Sequence, residues 1–427
     1  MLTIQHFFPQ IFEQMRALED YRDKPDYDLA TIITAALGMH LFKAGSRNAM
    51  NNLRKDKQFR KNYKKLFKLS LPHMDTVNLV MQQLEPTQLE QLSKQMVRAL
   101  MDKRIFHRYR LFNQWFVIAV DATGLYSFEE QPYEQALYKC YSSGKTSWFS
   151  MVLEAKLITP NGFSASVGTE WIENPDSEYE KQDCERKAFK RLAERLKRDW
   201  PRLPICIAAD GLYPYKGSFD ICKLMGWSWV YTFKDGNLPS VREEVESLLL
   251  LNPKNTKTIR YQQGAWQIEQ CFRWINAIDY KGHSVNWFEC VETSTDAEQN
   301  MTFNRFVHLT SFAITSENIL QLSQTGRMRW KIENEGFNIQ KNHGYELKHK
   351  YSRRSYRAMK NYYQCLQMAH LINQLLILSR SFQSLLKSKM TIKHLWIKMR
   401  AIVMVGKIAT KKLEAMLREK RQIRLVT

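Results

Sequence analysis

The chain has 427 residues, 44% hydrophobic and 25% charged, which excludes a mostly disordered polypeptide. Only 16 glycines and 12 prolines exclude a collagen-like or low-complexity composition. Against 43 Asp and Glu stand 64 Lys and Arg, and the net charge of +21 points to a polyanionic partner, nucleic acid first among them.

At the amino terminus no basic stretch precedes an apolar one, so no signal peptide is expected. No run approaches the ~20 apolar residues that span a bilayer, so a soluble cytoplasmic protein without a membrane partner is expected. Residues 1–110 read as a helical amino-terminal domain expected to bind DNA. Asp28 is placed to cap a helix carrying Leu29, Ile32, Ile33, Ala36, Leu37 and Leu41. Thr87 and Glu90 have capping-box spacing ahead of Leu92, Met96 and Leu100. Between these lies a basic cluster over residues 54–68, with Arg54, Lys55, Lys61 and Lys65 as candidate phosphate contacts. Phe59, Tyr63 and Phe67 recur within it at i, i+4, i+8, a stripe expected to pack on a core and leave the bases to phosphates or solvent.

The pattern then turns to α/β. Residues 115–120 (WFVIAV) predict a buried strand that stops at a turn over residues 121–124. Residues 149–158 and 163–171 predict a hairpin around Thr159-Pro160-Asn161-Gly162. A helical period covers residues 177–200, a short strand residues 205–209 (ICIAA), a helix 215–224 and a strand 227–233. Over about 236–305 a β-rich insertion is expected, with strands at 262–278 and 285–292, and residues 306–314 return to the main core. Residues 327–341 predict a helix, and residues 346–427 a basic region with helices at 356–381 and 389–405. From residue 342 to the end, 19 Lys and Arg face three acids, so +16 of the charge lies there. Seven scattered cysteines without a CxxC pair are expected as free, mostly buried thiols, with no zinc site.

Asp121 and Asp210 each follow a short apolar strand, where ligands gather in α/β sheets. Either aspartate alone is equally at home as a turn or cap residue. Side by side they would repel, and a divalent cation relieves that repulsion. Oxygen-only ligands favour Mg²⁺, with Mn²⁺ as substitute. A third carboxylate is needed to hold two ions, and Glu333 is the candidate, with Glu335 as fallback. Arg329 shares its helix face at i, i+4, which is either a surface ion pair or a guanidinium held for a substrate phosphate.

Asp121 after WFVIAV, Asp210 after ICIAA and the RWKIE segment together resemble the DDE transposases of bacterial insertion sequences, which have an RNase H-like catalytic core. More narrowly, the chain is similar to those with a β-rich insertion between the second Asp and the Glu. The 89 residues from Asp121 to Asp210 and the 123 from there to Glu333 agree with that subgroup, as does the segment Lys181–Phe189. Of the subgroup's tyrosine–arginine–glutamate–lysine signature, Arg329 and Glu333 match. Gly326 stands where the tyrosine belongs. Gln340 holds the lysine's place and Lys341 follows one residue late, so Lys341 needs its long stem or a local bulge to reach the same phosphate. The resemblance implies residues 111–345 as the catalytic domain, with helical regions before and after it.

It further implies two metal ions held by Asp121, Asp210 and Glu333, cleavage of double-stranded DNA at terminal repeats, strand transfer into target DNA, and a homodimer pairing two ends. Arg329 and Lys341 would meet phosphate, and the carboxy-terminal region would bind DNA ends or dimerise. Trp266, Trp274 or Trp287 would stack on a flipped base. A nuclease without strand transfer, a non-catalytic DNA-binding protein derived from a transposase, and a basic scaffold gripping only phosphates are the alternatives.

Overall fold

The computed structural model describes residues 1–175, 179–386, 390–419 and 422–426. The amino-terminal region is helical throughout: α1 (Leu2–Phe7), α2 (Ile11–Arg16), α3 (Leu29–Leu41), α4 (Arg47–Lys55), α5 (Lys57–Phe67), α6 (Met74–Gln83) and α7 (Pro86–Asp102). Asp28 caps α3 as expected, accepting from the Thr31 amide at 2.8 Å. On α5 the stripe of Phe59, Tyr63 and Phe67 is buried around Phe42.

Strand β1 (Phe116–Phe128) sends Phe116, Ile118 and Val120 into one apolar core, and Val117 and Ala119 into a second on the other face. Covered on both sides, it reads as an unbroken hydrophobic run. It does not turn at residues 121–124. Its second half continues against β3 (Thr146–Ile158), with Ala122 opposite Leu153 and Thr123 opposite Val152. Ala122, Thr123 and Gly124 stay in register, and the irregularity falls just beyond them, between Gly124 and Ser127. The short β2 (Leu137–Cys140) and the expected hairpin partner β4 (Ser164–Ile172) flank β3.

Helix α8 (Glu185–Asp199), β5 (Ile205–Ala209), α9 (Lys216–Met225) and β6 (Ser228–Thr232) follow in the expected order. Of the helical period expected from residue 177, its first two residues lie outside the described ones, and the helix itself begins at Glu185. The insertion opens with an unexpected helix, α10 (Pro239–Leu251), and then runs β7 (Thr256–Gln263), β8 (Trp266–Tyr280), β9 (His283–Thr295) and β10 (Met301–Thr310). These strands do not form a sheet of their own. β10 pairs with β9 along its length and with β6 at His308–Thr310, so one mixed sheet runs β2-β3-β1-β5-β6-β10-β9-β8-β7, with β4 on β3.

Helix α11 (Ile319–Met328) leads into a π-helix (Ile332–Asn338) and α12 (Ile339–Asn342), where a single α-helix was expected. Then come α13 (Tyr356–Ile377), α14 (Arg380–Leu386), α15 (Ile392–Val405) and α16 (Thr410–Arg418). The start expected for α15, residue 389, lies outside the described residues. Helix α13 is buried along most of its length between the amino-terminal helices and the sheet, and Asn361 donates to the Met81 and Leu84 carbonyls. The amino-terminal helices therefore share a core with the rest of the chain. All seven cysteines are free, four of them buried. Among the described residues no helix is long and apolar enough to cross a membrane.

Candidate active site

Strand parity brings the two aspartates together. Val117 and Ala119 of β1 face the core beneath α11, and Asp121 shares their parity. On β5, Cys206 and Ala208 face the same core, and Asp210 comes next in that series. The parallel pairing runs Ala119 to Ala208 and Val120 to Ala209, so one further step sets Asp121 level with Asp210. There β5 ends and β1 continues.

Asp210 shapes its own turn: Oδ1 accepts from the Leu212 amide at 2.8 Å, and Oδ2 lies 3.2 Å from Lys234 Nζ. The Lys234 stem crosses Gly211, where an added Cβ would come within 2.7 Å of it. Glu333 reaches Asp121 from the π-helix. Arg329 Nη1 lies 2.7 Å from Glu333 Oε1 and 3.8 Å from Asp121 Oδ2, so one guanidinium bridges both acids. Arg329 is 5% exposed and its Nε has no hydrogen-bond partner. Burial, then the Glu333 charge, pushes the Asp121 carboxyl up to about 7, against the pull of Arg329. Glu185 and Asp210 add smaller repulsions.

Glu185 is a fourth acid of this neighbourhood, and no local pattern in the sequence marks it beyond its place in the Lys181–Phe189 segment. It opens α8 and accepts from Tyr213 Oη at 2.8 Å. Burial holds its carboxyl above the usual range, Asp210 adds to this, and the Tyr213 bond opposes it. Glu335, the fallback carboxylate, pairs instead with Lys331 at 2.9 Å.

The π-helix accounts for the late lysine. Its i→i+5 turns hold one more residue than α turns. Gln340 is thereby turned fully inward, bonded to Gln367 Oε1 at 2.9 Å and His370 Nδ1 at 3.0 Å. Lys341 takes the half-exposed place and feels the charges of Asp121 and Glu333, while burial lowers its pKa. The position of the expected tyrosine is closed: a Cβ on Gly326 would run into the His308 ring. That ring stacks on Phe288 and is kept neutral by burial, its pKa pushed down to about 3.

Two of the four candidate contacts in the basic cluster serve the fold. Arg54 Nε donates to the Leu71 carbonyl at 3.0 Å, and Lys65 Nζ to the Ile408 carbonyl at 2.7 Å. Lys55 and Lys61 are exposed. Of the insertion tryptophans, Trp274 and Trp287 are buried and Trp266 is 40% exposed. A groove of about 880 Å³ lined by Arg108, Arg110, Trp330 and Lys331 does not include Asp121.

Carboxylate oxygens are the hard donors that Mg²⁺ or Mn²⁺ takes, and burial first, then the Glu333 charge, raises the Asp121 pKa. Among the described residues no group of three or more Asp, Glu, His or Cys side chains is placed to hold a metal ion, and Arg329 supplies the cation between Asp121 and Glu333. No protein-family model and no curated protein matches the chain.

Proposed function

We propose that the chain is a metal-dependent DNA strand-cleaving and strand-joining enzyme of the DDE-transposase type. The observation that carries the reading is the adjacency of Asp121 and Asp210 at the end of β5, faced by Glu333 and the buried Arg329. The strand order β4-β3-β1-β5-β6, antiparallel on one side of β1 and parallel on the other, supports an RNase H-like core.

Asp121 and Asp210 would hold the cation, with Glu333 closing its ligand set. When bound, Mg²⁺ activates the attacking oxygen and neutralises the leaving one. Arg329, whose Nη1 holds Glu333, would balance charge on a scissile phosphate brought to these acids. Lys341 adds a second positive charge beside the same acids. The attacking group would be water in cleavage and a DNA 3′-hydroxyl in joining.

Asp121→Asn is expected to abolish cleavage in Mg²⁺ and to leave DNA binding unchanged in a gel-shift assay. A variant that still nicks DNA at the wild-type rate refutes the assignment. The second reading, a DNA-binding protein without catalysis, is favoured by the Arg329 bridge where a cation would be shared. Cleavage that depends on a divalent metal decides between them.

A further inference from the structure

The first turn of α8 is fastened to the loop that carries Asp210 at several points. Tyr213 is 2% exposed, packed edge-on against Phe189 at 5.0 Å and near Tyr231, and its hydroxyl donates to Glu185. Through its own amide the same tyrosine donates to the Asp210 carbonyl at 3.2 Å. The next residue of α8, Arg186, sits over the Tyr215 ring at 4.5 Å and reaches the Leu212 carbonyl. An acid in the first turn of a helix is commonplace, because it meets the positive end of the helix dipole. That role needs no buried tyrosine as partner, and the half-buried Glu185 has one.

The charges point the same way. Tyr213 holds the Glu185 carboxylate beside the loop that Asp210 opens, since it donates to Glu185 through its hydroxyl and to the Asp210 carbonyl through its amide. An extra anion held near a carboxylate pair raises the pair's attraction for a cation, as outer groups do around metal sites.

We propose that Glu185 is a positioning residue of the site: tied to Tyr213, it fixes the loop that presents Asp210, and its charge strengthens the hold of Asp121 and Asp210 on a divalent cation. This rests on the reading of those two aspartates as the metal-binding pair. The segment Lys181–Phe189 then has a use, as the strap behind the second aspartate.

Titration of the full chain with Mn²⁺ alone, followed by the loss of the free-ion electron paramagnetic resonance signal, tests it. Glu185→Gln keeps an oxygen to accept from Tyr213 and removes the charge. It is expected to weaken Mn²⁺ binding about tenfold with an unchanged thermal midpoint. Tyr213→Phe keeps the charge and frees the carboxylate, and is also expected to weaken binding. Wild-type affinity in either variant, with Asp210→Asn having lost the ion, overturns the proposal alone. A loss of affinity in Glu185→Gln that comes with a lowered midpoint overturns it in favour of a structural role. Wild-type affinity in Asp121→Asn and Asp210→Asn, or no binding by the unaltered chain, refutes the metal-site reading beneath it.

Discussion

Asp121 sits among more negative charge than its burial tolerates, and this has a consequence for stability. Its carboxyl moves from 3.8 to about 7 on folding, so the folded chain binds a proton that the unfolded chain has released. The stability this contributes is complete below pH 3.8 and is lost as the pH rises through about 7. Asp121→Asn removes the loss. Its thermal midpoint is therefore expected to exceed that of the wild type above pH 7 and to converge with it below pH 4, and a series of melting curves across pH checks this. Arg329→Met leaves Asp121 and Glu333 facing each other without a cation and is expected to cost about 3 kcal/mol in urea unfolding. Asp121 and Asp210 are legible in the sequence because each is the first polar residue after an apolar strand, a local event. Glu185 is not legible, since its link to Asp210 is made by a tyrosine hydroxyl across the fold.

Among the elements, the π-helix departs furthest from the sequence expectation and matters most to the site. A seven-residue spacing suits an α-helix, and only the extra residue of a π turn lets Lys341 take the place read at 340. Gln340→Lys, which would restore the spacing that the resemblance implies, buries an ammonium beside Lys156 and His370. It is expected to cost at least about 3 kcal/mol, whereas Lys341→Gln lowers the cleavage rate with no change in midpoint. Gly326→Ala drives a methyl into the His308 ring and is expected to cost about 1–3 kcal/mol. His308→Ala should relieve most of that cost in the double variant, as a double-mutant cycle measures. The hairpin of β3 and β4 was readable from its turn residues. Strand β7 was not, because its sequence, TKTIRYQQ, is polar and mostly exposed and gives no hydrophobic period. Residues 121–124 resemble a turn locally, and it is the long-range pairing with β3 that carries the strand through them.

Over the whole molecule, the positive charge is distributed more selectively than the sequence suggests. The buried α13 ties the amino-terminal helices to the sheet, and Lys94, Glu90, Arg195 and Glu170 continue the link from α7 through α8 to β4. The carboxy-terminal helices cover part of α5: Asn62 donates to the Val403 and Gly406 carbonyls, and Lys68 pairs with Glu414 at 2.8 Å. Basic residues engaged in this way are held by the protein, and those left exposed are available to phosphate. Lys61→Gln is expected to lower the slope of log affinity for DNA against log salt by about 0.9, and Lys65→Gln to change stability more than slope. The account turns on divalent-metal chemistry at Asp121. Its most direct measurement is incubation of the full chain with DNA carrying the ends that flank its own gene, with and without Mg²⁺, followed by strand analysis. The account predicts end-specific strand cleavage that requires Mg²⁺ and is lost in Asp121→Asn. Intact DNA in Mg²⁺, or equal cleavage by the Asp121→Asn chain, would contradict it.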